Sequence, residues 1–178
     1  MSNIGFEAKP LSRANIREYA KEIRQALGFD AIPYIDIEKL LDFILPKAMP
    51  GFAYDIRPHE DMGNNHGLAD PENRFIVLRE DVHERACDGH GRDRLTVIHE
   101  FGHLLLHPKD RLVLRRGEGK PKSYCDPEWQ ANCFAGEFLV AFTLLNGCKS
   151  AAEAASMFGV SQDAAQYQLG QFRKEGLL

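Results

Sequence analysis

Hydrophobic residues recur at helical spacing along much of the chain, and this pattern predicts a mainly helical fold. From Ser12 to Leu27 they lie on one side of an amphipathic helix, and Gly28 is placed to end it. Asp36 is placed to cap a second helix from Ile37 to Leu45, which we expect Pro46 to end. Both helices are predicted to be scaffold.

Short runs of β-forming residues in the middle of the chain predict a small antiparallel sheet. Phe52–Ile56 and Arg74–Leu78 have this composition. A third strand is expected around Gly67–Leu68, because the turn-forming residues 70–73 separate it from the strand that follows. The sheet would stand directly before the most apolar part of the chain.

The most apolar stretch, Leu95–Leu106, contains no proline and predicts a buried helix from about Arg92 to His107. It holds a His-Glu-x-x-His motif that begins at His99 and ends at His103. Residues four apart share one face of a helix, so both imidazoles would point at one spot, as two ligands of a tetrahedral zinc must. Glu100 could then take a proton from a metal-held water. A chance His pair would leave these polar groups without partners in an apolar segment, which is costly.

A long helix is predicted after the charged segment 109–122, which we expect to form a mobile rim of a cleft. Asp126 is placed at its N-cap and Pro127 at its first position, and Gly147 is expected to end it. Its apolar residues repeat at helical spacing and should face the core: Phe134, Phe138, Leu139, Phe142 and Leu145.

A zinc site that hydrolyses amides needs a third protein ligand, and three residues compete for this role. His107 would lie about 12 Å from His99 along a straight helix, too far to share an ion. We therefore interpret it as a helix-end cation or a residue of the cleft wall. Glu137 falls among core positions. Glu128 is better placed, on a separate helix with Asn132 one turn further to orient the ligands, although a first-turn carboxylate could also serve only the helix dipole.

Two segments together resemble the ImmA/IrrE metallopeptidases. His99–His107 is similar to that family's His-Glu-x-x-His helix, and Glu128–Ala135 is similar to its Glu-x-x-Ala-Asn-x-Phe-Ala helix. In this resemblance the family's metal ligands fall on His99, His103 and Glu128. Its catalytic carboxylate falls on Glu100. The resemblance implies a bacterial or prophage intracellular protease that cuts or inactivates helix-turn-helix repressors and so switches on stress or mobile-element genes. The chain departs from the family after Ala135, where a Leu-Leu-Met-Pro-like run is usual, and this affects the expected shape of the cleft.

The C-terminal segment carries a second signal, that of a helix-turn-helix. A capping box at Ser150 opens a helix stopped by Gly159, and Ser161 begins a last helix that runs to about Glu175. This pattern supports an alternative function, a DNA-binding or repressor-binding regulator without proteolysis. Charge argues against DNA contact, because residues 150–178 hold two basic and three acidic side chains. These are Arg173 and Lys174, against Glu153, Asp163 and Glu175.

Composition is that of an ordinary soluble protein, with 44% hydrophobic and 27% charged residues. The net charge of −4 leaves no excess of cations for phosphates, so nucleic acid is not the expected partner. Residues 1–10 lack the apolar core of a signal peptide, and the apolar run Cys133–Leu145 is too short to span a bilayer. We expect a cytoplasmic protein without a membrane partner, whose four cysteines are free thiols.

The sequence therefore predicts an α+β fold. A mainly helical zincin-like domain with a small antiparallel sheet would span residues 1–148, and a helix-turn-helix-like region, 149–178, would pack on it. The predicted activity is zinc-dependent endoproteolysis, with Mn²⁺ or Fe²⁺ as alternative metals. The substrate, a protein and by resemblance a helix-turn-helix repressor, would lie along an edge strand, for which we choose Phe75–Leu78. Three side chains are candidates to stabilise the oxyanion: His66, His107 and Tyr124.

Overall fold

The computed structural model describes residues 4–116 and 121–178, with the backbone alone for 4–6 and 113–116. Over these residues the fold is α+β and mainly helical, as predicted. The helices are α1 (Arg13–Ala26), α2 (Ile37–Lys39), α3 (Leu45–Ala48), α4 (His59–Met62), α5 (Glu80–Cys87), α6 (Gly91–Leu106), α7 (Pro127–Leu139), α8 (Ala151–Phe158) and α9 (Gln162–Lys174). The strands are β1 (Ile4–Ala8), β2 (Ala53–Arg57), β3 (Gly67–Asp70), β4 (Phe75–Arg79) and β5 (Leu112–Arg116).

Helix α1 begins and ends where the sequence predicts. The Ser12 hydroxyl accepts a hydrogen bond from the Asn15 backbone N–H, while the Asn15 side chain accepts one from the Ser12 backbone N–H. This reciprocal cap satisfies two of the donors that a helix start leaves unpaired. The helix buries Ile16 and Ala20 in the core, which confirms the predicted amphipathic face.

The second predicted helix is longer than expected. Asp36 does cap it, through its carboxylate and the Lys39 N–H. Pro46 does not end it, because a π-helical segment, Leu40–Ile44, intervenes and the helix resumes as α3 to Ala48. Pro46 falls in the first turn of the resumed helix, where a missing N–H is tolerated.

The central sheet is mixed, whereas the sequence predicted an antiparallel one. Its order is β2-β4-β3, with β2 parallel and β3 antiparallel to β4. The chain passes through α4 and β3 before β4 begins, and this crossover lets β4 run in the direction of β2. The prediction that Phe75–Leu78 is an edge strand is therefore wrong, because β4 is the central strand of this sheet and is more buried than β2 or β3. The edges are β2 and β3.

A second, two-stranded sheet pairs β1 with β5 in antiparallel register, from Ile4 opposite Arg116 to Ala8 opposite Leu112. The sequence predicted only a mobile rim over 109–122. Residues 117–120 of that segment lie outside the described residues. Before them, the prediction of a mobile rim is corrected, because Leu112–Arg116 form β5. The partner of β5, β1, lies more than 100 residues away in the chain, so the local sequence pattern could not predict the pairing.

Helices α6 and α7 pack closely at the centre of the molecule. Phe101 of α6 meets Phe134 and Phe138 of α7 edge to face, at ring-centroid distances of 6.0 and 5.9 Å. Helix α7 ends at Leu139 rather than near Gly147. The buried Arg24 guanidinium donates to the Phe138 carbonyl, which satisfies a group that a continuing helix would have used.

Helices α8 and α9 form the predicted helix-turn-helix-like pair. Ser150 and Ser161 cap them, and Gly159 adopts the left-handed conformation (φ +64°) between them. Phe158 and Phe172 belong to the same buried cluster as the side chains of α6 and α7. The proposed boundary between residues 148 and 149 stays a prediction.

Candidate active site

Helix α6 places His99 and His103 on one face, and their Nε2 atoms lie 3.0 Å apart. From α7, the carboxylate of Glu128 approaches both rings. Its Oε2 is 3.4 Å from Nε2 of His99, and its Oε1 is 3.3 Å from Nε2 of His103. The structure thus brings together the three residues that the sequence singled out as metal ligands.

The spacing of these donor atoms fits a single tetrahedral cation. Zinc bonds of 2.0–2.1 Å to nitrogen or oxygen place two ligand atoms of a tetrahedron about 3.3 Å apart. The three edges observed here are 3.0, 3.3 and 3.4 Å. Two imidazoles and one carboxylate could therefore hold a divalent cation and leave a fourth corner for water or substrate. The same donors also suit Mn²⁺ or Fe²⁺.

The start of α7 explains how Glu128 reaches this position. The carboxylate of Asp126 accepts a hydrogen bond of 3.0 Å from the Glu128 N–H, and Pro127 occupies the first helical position. This cap places Glu128 in the first turn, at the end of α7 that faces the two histidines. Hydrogen bonds from His103 and His99 hold the pKa of Glu128 well below its usual range, so the carboxylate is ionised.

Glu100 lies beside this group and is only 7% exposed. Burial raises its pKa, since a carboxylate loses hydration when it is enclosed. Burial opposes protonation of His99, but Glu128 and Glu100 outweigh this effect and raise the pKa of the imidazole. A buried carboxylate with a raised pKa is suited to accept and release a proton.

Gly67 on β3 lies against the candidate catalytic carboxylate, and the sequence did not single it out. A Cβ at this position would lie 2.6 Å from Cγ of Glu100, so only glycine leaves room for that side chain. A glycine inside a strand often marks such a close approach. The sequence does place a glycine in the predicted strand around Gly67–Leu68. The neighbouring residues in the chain do not indicate which side chain approaches it.

Each histidine is also held through its second ring nitrogen. Nδ1 of His99 lies 3.1 Å from Oδ1 of Asn132, the residue predicted to orient the ligands. Nδ1 of His103 lies 2.9 Å from Nδ1 of His107, whose Nε2 lies 3.0 Å from Oε1 of Gln130. Burial lowers the pKa of His107 to about 4, so it is neutral at neutral pH and not the helix-end cation that we considered. Nothing in the sequence singled out Gln130, which contacts His107.

Other candidates lie away from the centre. Glu137 is buried and pairs with Arg13 and Arg17, which makes it part of the core structure. Tyr124 is exposed and lines a separate surface pocket, so it is not placed to stabilise an oxyanion. Cys133 is buried, and burial raises the pKa of its thiol to about 12.

Two cavities flank the three candidate ligands. One, of about 560 Å³, includes His66, His99 and Glu100 in its wall. The other, of about 880 Å³, includes His103, His107 and Glu128. Strand β3 contributes to both, so together they define a cleft that follows this edge strand past the candidate ligands. His66 and His107 are the oxyanion candidates that lie in the cleft.

Comparison with known proteins agrees with this site. Residues 55–169 match the family model for the IrrE N-terminal-like domain, Peptidase M78, and this span contains all the candidate ligands. No curated protein was found to match the chain. Among the described residues, no helix combines the length and apolar character needed to cross a membrane.

Proposed function

This chain belongs to the IrrE N-terminal-like family of metallopeptidases (Peptidase M78), and we propose that it is a zinc-dependent cytoplasmic endopeptidase. The proposed ligands are His99, His103 and Glu128, and the proposed catalytic carboxylate is Glu100. The observation that carries this proposal is the convergence of three donor atoms at tetrahedral spacing beside a buried carboxylate. Asn132 is proposed to hold the His99 ring through Nδ1.

A zinc ion held there would supply a Lewis acid for the scissile carbonyl and acidify a bound water. The protein's own contribution is proton transfer and orientation. Glu100 can accept a proton at its carboxylate and release it to the leaving amine, because burial raises its pKa above that of an exposed carboxylate. His66 lines the cleft on the same side as Glu100 and is our candidate to stabilise the oxyanion.

We propose that the substrate lies as an extended strand along β3, and not along Phe75–Leu78 as the sequence suggested. Among the described residues, β3 pairs only with β4, so its other edge offers backbone groups for β-augmentation. The strand reaches both cavities, through Gly67 on one side of the candidate ligands and Ala69 on the other. Such a cleft would accept an extended or unfolded segment of a protein rather than a folded helix.

For the identity of the substrate we propose a helix-turn-helix transcriptional repressor, as the family resemblance implies. Its cleavage would derepress stress or mobile-element genes. The alternative is a regulator that binds DNA or a repressor through α8–α9 without proteolysis. The structure offers little support for DNA, because the first turns of α9 line the cleft through Ala164 and Tyr167. In a DNA-binding helix-turn-helix these turns would contact bases.

Metal analysis and a cleavage assay test the proposal. The purified protein should hold about one divalent ion per chain, a stoichiometry that His103→Ala abolishes and the exposed control His59→Ala preserves. Purified helix-turn-helix repressors should then be incubated with metal-loaded and metal-free protein, with product masses read by mass spectrometry. We expect one repressor to be cut by the loaded form only. Absence of metal from the wild type would overturn the proposal, and tight binding of a repressor without cleavage would favour the regulator.

A further inference from the structure

A row of buried polar groups leads from His103 into the protein interior. It begins at the contact of 2.9 Å between Nδ1 of His103 and Nδ1 of His107, and continues through the contact of 3.0 Å between Nε2 of His107 and Oε1 of Gln130. The amide nitrogen of Gln130 donates to two backbone carbonyls, of Lys9 at 2.9 Å and of Tyr124 at 2.8 Å. His107 is 2% exposed and Gln130 is fully buried.

The two carbonyls at the far end set the direction of every hydrogen bond in this row. A carbonyl only accepts, so the Gln130 amide must turn its NH₂ group to them and its Oε1 to His107. Oε1 also only accepts, so Nε2 of His107 carries a hydrogen. A neutral imidazole has one such hydrogen, which leaves Nδ1 of His107 as an acceptor. Nδ1 of His103 must therefore donate to it.

The consequence falls on the other side of the His103 ring. With its hydrogen on Nδ1, the neutral ring has a lone pair on Nε2, the atom that faces His99 and Glu128. The hydrogen bonds of His107 and Gln130 thus leave the Nε2 lone pair of His103 free for a metal.

His99 is held in a simpler way. Its Nδ1 has the single partner Asn132, an exposed residue whose amide is not anchored by further hydrogen bonds among those found in the described residues. His103 is instead tied through two buried side chains to backbone at two places, the residue after β1 and the short turn Ser123–Cys125 before α7. Lys9 also lies outside the span 55–169 that matches the family model.

We propose that His107 and Gln130 are positioning residues that select the Nδ1–H tautomer of His103, so that its Nε2 is the ligand atom. The proposal rests on the proposed function in one respect, that His103 binds the metal. It assigns His107 and Gln130 no contact with substrate. It also gives the segment after β1 a role in the centre, because the Lys9 carbonyl helps to fix the Gln130 amide.

Metal affinity of matched variants tests the relay. His107→Leu and Gln130→Met remove hydrogen bonds but keep much of the volume, and they should weaken metal binding about 10- to 100-fold, as loss of an orienting partner typically does. His107→Asn can keep an oxygen acceptor near Nδ1 of His103 and should recover most of the affinity. His83→Leu, which changes a half-buried histidine stacked on Tyr54, should have no effect. Competition with a chromophoric chelator measures each dissociation constant, and circular dichroism verifies that each variant is folded.

The tautomer itself can be measured in the wild-type protein without relying on any variant. Long-range ¹H–¹⁵N correlation spectra of the metal-free protein should show the hydrogen of His103 on Nδ1 and that of His107 on Nε2. In His107→Leu, His103 should populate both tautomers. The opposite tautomer of His103 in the wild type would overturn the proposal, as would wild-type affinity in both His107→Leu and Gln130→Met. If the wild type binds no metal, the proposed function fails instead, so the two failures are distinguishable.

Discussion

Two helix pairs in this molecule, α6–α7 and α8–α9, use similar sequence devices and differ in what they bury. Capping side chains start α7, α8 and α9, and apolar faces hold both pairs in one core. Among the described residues, the three polar side chains whose lone pairs converge on one point lie on α6 and α7. Capping residues and hydrophobic periodicity therefore specify that a helix forms. A candidate metal site also requires polar side chains that face each other across two helices.

The α8–α9 pair instead forms part of the cleft wall and is tied to the other helices by polar contacts of Arg94 and Arg17, which we call the clamp. The Arg94 side chain of α6 donates to the carbonyls of Phe158 and Gly159 at the end of α8. Arg17 of α1 bridges Glu137 of α7 to Glu175, which follows α9. Polar contacts thus bind this pair to the helices that carry the candidate site. Substitutions at the candidate site should change activity, and those that remove a contact of the clamp should change stability.

The largest effect is expected for Glu100→Gln. Loss of the proton-transferring carboxylate should lower the cleavage rate by about 10²- to 10⁴-fold, the usual contribution of a general base. Metal content and melting temperature should not change, because no candidate ligand is altered. Rate measurements on the cleaved repressor test this, with the exposed Glu84→Gln as control. Cleavage by Glu100→Gln at the wild-type rate would remove Glu100 from the mechanism.

Next in size is Glu137→Ala, which should destabilise the protein by about 3 kcal/mol, near the lower end for breaking a buried ion pair. The side chain of Glu137 is fully buried between Arg13 and Arg17, whereas both arginines retain some contact with solvent. Urea unfolding measures the change. Glu18→Ala removes an exposed pair with Lys21 and should cost less than about 1 kcal/mol. Equal effects of the two substitutions would contradict the view that the buried contacts of Glu137 in the clamp stabilise the fold.

A smaller effect on rate is expected for Gly67→Ala. The new methyl group would overlap Glu100, which must shift, and misplacement of a catalytic group by a fraction of an ångström can cost about 10-fold or more. Metal content should stay the same. An unchanged rate would mean that Glu100 can move aside without loss of its role.

Gly159→Ala should act on stability alone. The residue has a left-handed φ of +64°, and a Cβ there would lie 2.3 Å from the Tyr34 ring. Gly147→Ala is a matched control, because Gly147 has a φ of +84° with nothing within 4 Å of the added Cβ. We expect about 1 kcal/mol for Gly147→Ala from backbone strain and a larger loss for Gly159→Ala. Thermal unfolding compares them, and equal losses would show that the Tyr34 contact relaxes freely.

The smallest effect is expected from the paired substitution of Arg173 and Lys174 by Gln. These are the basic side chains of α9, and both are exposed. If α9 does not bind DNA, the variant and the wild type should both fail to shift duplex DNA in a low-salt gel assay. They should also cleave substrate equally. A shift by the wild type that the variant loses would restore the DNA-binding alternative.

The sequence by itself determined where α1, α6, α7, α8 and α9 begin, and it determined the candidate ligands. The reason is that caps act over three residues and that His99 and His103 are brought together by a single helical turn. Asp126 and Pro127 likewise set the position of Glu128 in α7. These relations depend on neighbours in the chain, so spacing alone could predict them.

Local spacing was insufficient where distant contacts compete with it. Pro46 and Gly147 suggested two helix ends, but a π-helical segment carries the first helix past Pro46, and α7 ends at Leu139, where Arg24 binds the Phe138 carbonyl. The choice of edge strand was wrong for the same reason, since strand order depends on the path through α4 and β3. Residue types that form strands do not state which strand lies in the centre of a sheet.

Only the tertiary structure decided what surrounds the candidate ligands. It placed Gly67 against Glu100, and it placed the buried His107 against the ring of His103. It also joined Gln130 to the Lys9 carbonyl across 121 residues of chain. Such hydrogen bonds form because folding leaves buried donors and acceptors no water to bind, and the partner that each one finds is set by the packing of the whole chain.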